Sequence, residues 1–311
     1  MEPDVNPNIQ QEKHSKRNST RARVRSMINH LTQLEELNFL LTNRIPRRWA
    51  TIAVGSLSRV ENPLVRDVSM AMWKLFGGDL NLHEAKQTRF KSLHECFIRE
   101  LKPGARSIDQ NPEVLVSPSD GIVGASGLVH GTEVFQAKGF PYSLGDLIPD
   151  RELVEHYRDG VFVTLRLKSS MYHRFHAPCS GVIREVTYIS GDTWNVNPIA
   201  LQRIEKLYCK NERAVITLEL DCPGQTLTLV PVAAILVASI RLQFMSEALN
   251  LKYRGPNRIP CNHFCSKGEE LGYFEHGSTI IVFARKGFRL SEQVKDGAGI
   301  KMGEPLFLRP D

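Results

Sequence analysis

Three short stretches of this sequence put chemically competent side chains on separate segments. Tyr172-His173-Arg174-Phe175-His176-Ala177-Pro178 sets two histidines three residues apart with an arginine between them, directly after a strand-like run. Histidine is the side chain best suited to moving a proton near neutral pH. Ser117-Pro118-Ser119-Asp120-Gly121 is a turn signal that would hold one carboxylate at the end of a strand, and a plain Asx turn explains it equally well. Gly277-Ser278-Thr279 stands where the loop from Lys267 to Gly272 gives way to a β-branched run; a serine after a glycine there is ordinarily structural. An Asp, a His and a Ser on three segments permit a triad in which the carboxylate orients the imidazole and the imidazole activates the hydroxyl, but spacing alone does not bring them together. Metal chemistry has weaker support. Cys261, His263 and Cys265 supply three ligating side chains where a structural zinc site takes four, so no metal is expected and a plain loop is the simpler reading.

These groups need a frame to hold them. From about Leu115 onward the apolar pattern has period two: Val161, Val163, Leu165 and Leu167 alternate with Phe162, Thr164, Arg166 and Lys168, as in a half-buried strand. Residues 214–220, 226–240 and 279–283 are β-branched and apolar, with Gly, Pro and Asp between them. The spacing predicts an α+β chain whose catalytic body is a mainly antiparallel β sandwich or barrel-like structure. Upstream the signal is helical. Met27, Ile28, Leu31, Leu34, Leu37 and Leu41 recur at helical spacing, ending before Arg44, Arg47 and Arg48. A second helix is signalled by Asn62 as N-cap, Pro63 in the first turn and Gly77-Gly78 as the stop, with Leu64, Val65, Val68, Met72, Leu75 and Phe76 along one face. Such a pair, flanked by arginines including Arg59, either docks shallowly in a lipid headgroup layer or packs on the body of the protein. The expected organisation is a disordered basic arm over residues 1–25, a helical membrane-associating region over 26–90 and a β-rich catalytic domain over 91–311.

With 311 residues, 41% hydrophobic and 24% charged, the chain has the composition of an ordinary globular protein. The net charge of +6 is uneven, because residues 1–60 hold ten basic and five acidic side chains. A basic end on a nearly neutral body points to an anionic surface or to a merely solvated tail. Arg21, Arg23 and Arg25 lack the interleaved aromatics of a nucleic-acid arm, so no nucleic-acid partner is expected. Six irregularly spaced cysteines, with no secretory signal recognised, argue against a disulfide framework. The apolar run from Leu227 to Ile240 is broken by Pro231 and falls short of the ~20 residues that span a bilayer.

Taken in order, the Ser117–Gly121 turn, the two-histidine segment, Asn211-Glu212-Arg213 and Gly268-Glu269-Glu270-Leu271-Gly272-Tyr273-Phe274 followed by Gly277-Ser278-Thr279 resemble the motif series of the phosphatidylserine decarboxylase family. Phe97, Arg99, Leu101 and Arg106 resemble the family's link between helical and β parts, and the likeness runs from about Leu37 to Leu308. His276, Ala238 and Ser107 depart from common family residues without removing a group that the chemistry requires. The resemblance implies a proenzyme that cuts itself between Gly277 and Ser278, with Asp120 orienting His176 and His176 taking the Ser278 proton. Ser278 would become a covalent pyruvoyl cofactor, form a Schiff base with phosphatidylserine in an anionic membrane and release CO2 to give phosphatidylethanolamine, His173 supplying the proton. It implies a heterodimer of the two cleaved chains, with association of such pairs left open. It also implies a peripheral membrane protein, on the cytoplasmic face of a bacterial membrane or, as the alternative, on the mitochondrial inner membrane. The Arg- and Ser-containing stretch from His14 to Met27 has some look of a transit peptide, which Glu2, Asp4 and Glu12 weaken. Two other readings stay open: a pyruvoyl decarboxylase for another serine-type lipid or amino acid, and a catalytically dead lipid-binding homologue, against which the presence of Asp120, His176 and Ser278 argues.

Overall fold

The computed structural model describes residues 47–137, 140–222, 224–235, 239–275 and 278–310. The basic arm, the helix expected over residues 27–41, Arg44, His276 and Gly277 lie outside the described residues. What is described belongs to one compact unit, Pro46–Asp311.

Two helices open it, α1 (Arg47–Ser58) and α2 (Pro63–Gly77). Helix α2 starts and stops where its sequence says. The Asn62 side chain accepts the amides of Leu64 and Val65, Pro63 sits where a missing N–H costs nothing, and Gly78 leaves the helix at φ 85°. Helix α1 was not anticipated, because Trp49, Ile52 and Leu57 make a broken stripe rather than a continuous one. The inner face of α2 turns Met70 and Trp73 toward Ala85, Phe90 and Cys96, the last in helix α3 (Leu93–Phe97), which Ser92 caps.

The β body follows as β1 (Val114–Val116), β2 (Gly121–Leu128), β3 (Glu133–Ala137) and β4 (Phe140–Ser143), then helices α4 (Leu144–Leu147) and α5 (Arg151–His156). Strands β5 (Val161–Leu167), β6 (Arg174–His176) and β7 (Gly181–Ile189) come next, then helices α6 (Pro198–Leu201) and α7 (Leu207–Lys210). The rest is strand: β8 (Arg213–Leu220), β9 (Thr226–Ala233), β10 (Ser239–Leu242), β11 (Leu249–Asn250), β12 (Arg258–Cys265), β13 (Glu270–Phe274), β14 (Ser278–Ala284), β15 (Arg289–Leu290), β16 (Gly299–Ile300) and β17 (Pro305–Leu308). The run expected over residues 226–240 is therefore two strands, and part of the expected loop at 267–272 already belongs to β13.

The main sheet has the order β12-β7-β8-β9-β14-β5-β2-β16 and every pairing in it is antiparallel. Its ends, β12 and β16, do not meet, so it is an open layer and not a closed barrel. Two smaller sheets, β11-β10-β13-β6 and β1-β17-β15, share one core with it, in which Leu165, Leu167, Ile280 and Ala233 join Phe175, Phe274, Ile240 and Phe307. The other face is also covered. Tyr157 bonds Thr228 at 2.7 Å and its ring lies 5.9 Å from that of Phe283. This corrects the half-buried reading of β5, since Phe162 and Thr164 are as buried as the residues they alternate with.

Within the small sheet β13 approaches its neighbouring strands closely at Gly272, where a Cβ would come within 2.1 Å of the Arg241 carbonyl oxygen and 2.9 Å of the Phe175 ring. Gly272→Ala is expected to cost at least about 1–3 kcal/mol through overpacking. Urea or thermal unfolding will read this as a lowered midpoint, and an unchanged midpoint would show that β10 and β13 separate there without penalty.

Candidate active site

Two of the three motifs that sequence places far apart, and the segment that precedes the third, are joined by main-chain hydrogen bonds. The amide of His176 donates to the carbonyl of Pro118 at 2.8 Å, which ties the two-histidine segment to the turn carrying Asp120. On its other side, Ala177 donates to Glu269, Gly268 to Ala177, and Phe274 to His173. Strand β13, reached by these bonds, ends at Phe274, four residues before Ser278 in the chain. The main chain of Ser278 heads β14 in the middle of the large sheet, opposite Leu167 of β5 and Ala233 of β9.

His176 is buried and both ring nitrogens are bonded. Nδ1 lies 2.9 Å from the Gly268 carbonyl oxygen, which can only accept, so Nδ1 carries the hydrogen. Nε2, 2.9 Å from the Tyr172 hydroxyl, is then the basic nitrogen. Gly268 adopts φ 81°, a region that favours glycine, and turns this carbonyl to the ring. Burial lowers the pKa of His176 below 6.5; the Gly268 bond and the charges of Glu270 and Asp120 act in the opposite direction. The imidazole is therefore a neutral base at physiological pH.

Asp120 does not make the orienting bond to His176 that the sequence suggested. Its carboxylate accepts from Arg106 through Nε at 2.8 Å and Nη2 at 2.5 Å, and from the Met302 amide at 3.0 Å. A planar guanidinium matches two carboxylate oxygens, which a single imidazole nitrogen does not. Arg106 also reaches Glu84 at 2.9 Å, and this bond holds the Glu84 carboxyl below its ordinary range. Asp120 still favours the protonated form of His176 through its charge, without touching it.

His173 is fully buried. Its Nδ1 donates to the Met171 carbonyl at 2.8 Å, and its ring lies 4.0 Å, centroid to centroid, from Phe97 of α3. The turn ahead of it is held by buried Arg99, which donates to the carbonyls of Leu80, Ser170 and Met171. Arg174 binds the Ile98 carbonyl and Glu270. Asn211-Glu212-Arg213 turns out to be framework: Asn211 donates to the Ala233 carbonyl, Glu212 accepts from Tyr188, and Arg213 donates to the carbonyls of Asp146, Leu147 and Cys209. Ala233, so fixed, is the cross-strand neighbour of Ser278. Arg106, Tyr172 and Gly268 carry contacts that sequence reasoning did not assign, although each stood inside or beside a quoted motif.

Cys261, His263 and Cys265 share one face of β12 but have separate partners. Cys261 bonds the Ile259 carbonyl, His263 stacks on Phe244 and lies 3.6 Å from Glu269, and Cys265 bonds the Gly181 carbonyl. Among the described residues no helix is long and apolar enough to cross a membrane.

The sequence profile that describes phosphatidylserine decarboxylase matches residues 93–308. A phosphatidylserine decarboxylase proenzyme from Vibrio cholerae is 34% identical over 272 residues, covering 84% of this chain and 94% of the relative. One from Acinetobacter baumannii is 33% identical over 278 residues, covering 88% and 96%. One from Acinetobacter baylyi is 34% identical over 268 residues, covering 84% and 92%. These matches place the chain among the pyruvoyl-dependent decarboxylases, which are lyases. Within that class the chain belongs to the phosphatidylserine decarboxylase family.

The Arg106 fork is buried on both sides, with 5% of the Arg106 side chain and 12% of Asp120 exposed. Arg106→Gln would leave Asp120 without its counter-ion, at an expected cost of about 3 kcal/mol. Thermal unfolding will measure it. The Glu84 share has a pH signature: with its folded pKa depressed, its stabilisation is present above the ordinary value of 4.5 and is lost as pH falls below it. The gap between wild type and variant should therefore narrow in acid; a gap independent of pH would assign the loss to packing alone.

Proposed function

We propose that the chain cuts itself between Gly277 and Ser278 and that the pyruvoyl group left at residue 278 serves the decarboxylation of phosphatidylserine to phosphatidylethanolamine. The observation that carries this reading is Ser278 at the head of the central strand, four residues after Phe274, whose amide bonds the two-histidine segment. His176 Nε2 takes the Ser278 proton, and Asp120 favours the resulting imidazolium electrostatically. The Ser278 oxygen attacks the Gly277 carbonyl, turning amide into ester. Elimination frees the Gly277 carboxylate and leaves dehydroalanine, and water then releases ammonia and leaves the ketone.

Ser278 is well placed to hold such a group, because ladders on both sides fix β14 from its first residue, with buried Leu167 and Ala233 beside it. The pyruvoyl group supplies an electron sink in the way pyridoxal phosphate does in other decarboxylases. His173 holds and delivers the proton at Nε2, since Nδ1 is committed to Met171. Residues 278–311 carry β14 through β17, which pair with β9, β5, β2 and β1 of the larger chain, so the two products stay interlocked.

The helical region ahead of residue 91 is the membrane-associating part, and the β-rich part from 91 onward is catalytic. Leu64, Val68, Met72 and Leu75 make an exposed stripe on α2, and α1 exposes Trp49 and Ile52. This pattern suits a helix lying in the headgroup layer. Arg59 has another task than the expected lipid contact, for it pairs with Glu275 at 2.6 Å. These relatives are bacterial, in keeping with a bacterial membrane; the family resemblance implies its cytoplasmic face, with the mitochondrial inner membrane as the alternative.

Two experiments test this reading. For the first, His176→Ala, Asp120→Asn and Ser278→Ala are expected to leave the chain uncut, whereas His173→Ala still cuts but makes little phosphatidylethanolamine. Denaturing gels beside product per cut chain decide it, with free serine as the control substrate. Wild-type cleavage should keep its rate down to a limb below pH 6.5, because burial holds His176 neutral there. An uncut His173→Ala beside a processed His176→Ala reverses the assignment, and an unblocked serine at residue 278 rules out the pyruvoyl group. For the second, Leu64→Asp with Met72→Asp is expected to reduce co-sedimentation with anionic vesicles at least tenfold, each buried apolar side chain being worth about 1.5–3 kcal/mol. Unchanged sedimentation would move the docking surface elsewhere.

A further inference from the structure

The helices that carry the exposed stripe also reach the two reacting segments. On the inner side of α2, the Trp73 ring stacks on Phe97 with centroids 5.5 Å apart, and Phe97 meets the His173 ring at 4.0 Å. Phe97 and His173 are buried, so these contacts exclude water and fix the plane of the imidazole. The spacing along α2 explains the two faces: Leu64, Val68, Met72 and Leu75 lie on one side, while Met70 and Trp73 turn to the core. A second contact starts where α1 gives way to α2. Arg59 binds Glu275, the residue two before Gly277, and the Glu275 amide donates to Ser239.

We propose that Trp73 and Phe97 are positioning residues for His173, through which the seating of α2 on a lipid surface sets the geometry of decarboxylation. This rests on the assignment of His173 to that step. Self-cleavage draws on His176, whose ring is held by Gly268 and Tyr172 from the β body, and is independent of the stack. Nδ1 of His173 is pinned to Met171, and the Phe97 face against the ring restricts rotation and tilt of the imidazole plane. A displacement of that ring by a fraction of an ångström leaves substrate binding intact and misdirects the proton. A bilayer pressing on the outer stripe of α2 acts on the inner face of the same rigid helix.

The test uses full-length processed protein and three readouts. Phe97→Leu and Trp73→Leu are expected to cut like wild type, yet to turn over phosphatidylserine in detergent micelles about tenfold or more slowly with KM within twofold. Phe97→Tyr, which keeps the ring, should restore most of the rate. Turnover of a water-soluble short-chain phosphatidylserine is then compared with and without phosphatidylglycerol vesicles, which carry no substrate. Wild type should be stimulated severalfold, while Trp73→Leu should sediment with the vesicles and yet not be stimulated. Normal kcat in both leucine variants, or equal stimulation of Trp73→Leu and wild type, overturns the proposal. If His173→Ala itself retains turnover, the assignment of His173 has failed; if it is inactive while Phe97→Leu is normal, only the present inference has. Melting temperatures of the variants separate loss of fold from loss of rate.

Discussion

Everything about this site depends on β14 being hydrogen-bonded on both sides from its first residue. A cleaved chain would ordinarily gain freedom at its new end, fraying a terminus into solvent. Here the new end would lie between β5 and β9, with Leu167 and Ala233 directly opposite and Ile280 fully buried on the same face. Releasing it would expose two edges in the middle of the large sheet, together with the core beneath them. The same pairing that shapes the proenzyme would therefore keep residue 278 in register with β5 and β9 after the bond is broken. Backbone hydrogen bonds in the sheet interior have no competing water, which is what makes them adequate for this.

Around that strand the loops are held by buried arginines as well as by apolar packing. Arg99, Arg174 and Arg213 donate mainly to main-chain carbonyls, while Arg106 bridges two carboxylates. A guanidinium has five N–H donors in a fixed fork, so one side chain fixes several loop carbonyls that no strand can reach. Desolvating such a cation is costly, and the cost is offset only when the donors are filled with good geometry. The result is a set of loops whose backbone positions are interdependent: Arg99 sets the turn before His173, Arg174 ties β6 to residue 98, and Arg106 fixes Asp120.

Much of the frame was legible because its causes are local. The N-cap at Asn62, the proline beside it and the glycine at 78 mark α2 within a few residues of each other, and the period of two over residues 161–167 marks β5. The reading failed where the cause is tertiary. Nothing in Phe162 or Thr164 tells that a second layer covers them, and α1 has too sparse a stripe to be noticed without the body it packs near. The motif order located Asp120, His173, His176 and Ser278. Their wiring was hidden, since whether Asp120 meets an imidazole or a guanidinium depends on Arg106, and the tautomer of His176 depends on a carbonyl at residue 268.

The environments of the two histidines differ in a way that bears on how one site can serve two reactions. His176 is bonded at both nitrogens by Gly268 and Tyr172, and its amide is tied to Pro118; all of these belong to the β body. The His173 ring is bonded at Nδ1 by its own turn and meets the ring of Phe97, from the helical layer, while the His173 carbonyl accepts from Phe274 of β13. Cleavage happens once, inside a folded proenzyme, and needs a base whose environment is complete as soon as the sheet forms. Decarboxylation happens many times on a lipid substrate, and on the proposed assignment of His173 a group in contact with the helical layer would sense where a bilayer lies. Two imidazoles three residues apart can have different surroundings because Phe175, between them, turns into the β core beside Phe274, while the His173 ring meets Phe97 and the His176 ring meets Tyr172 and Gly268.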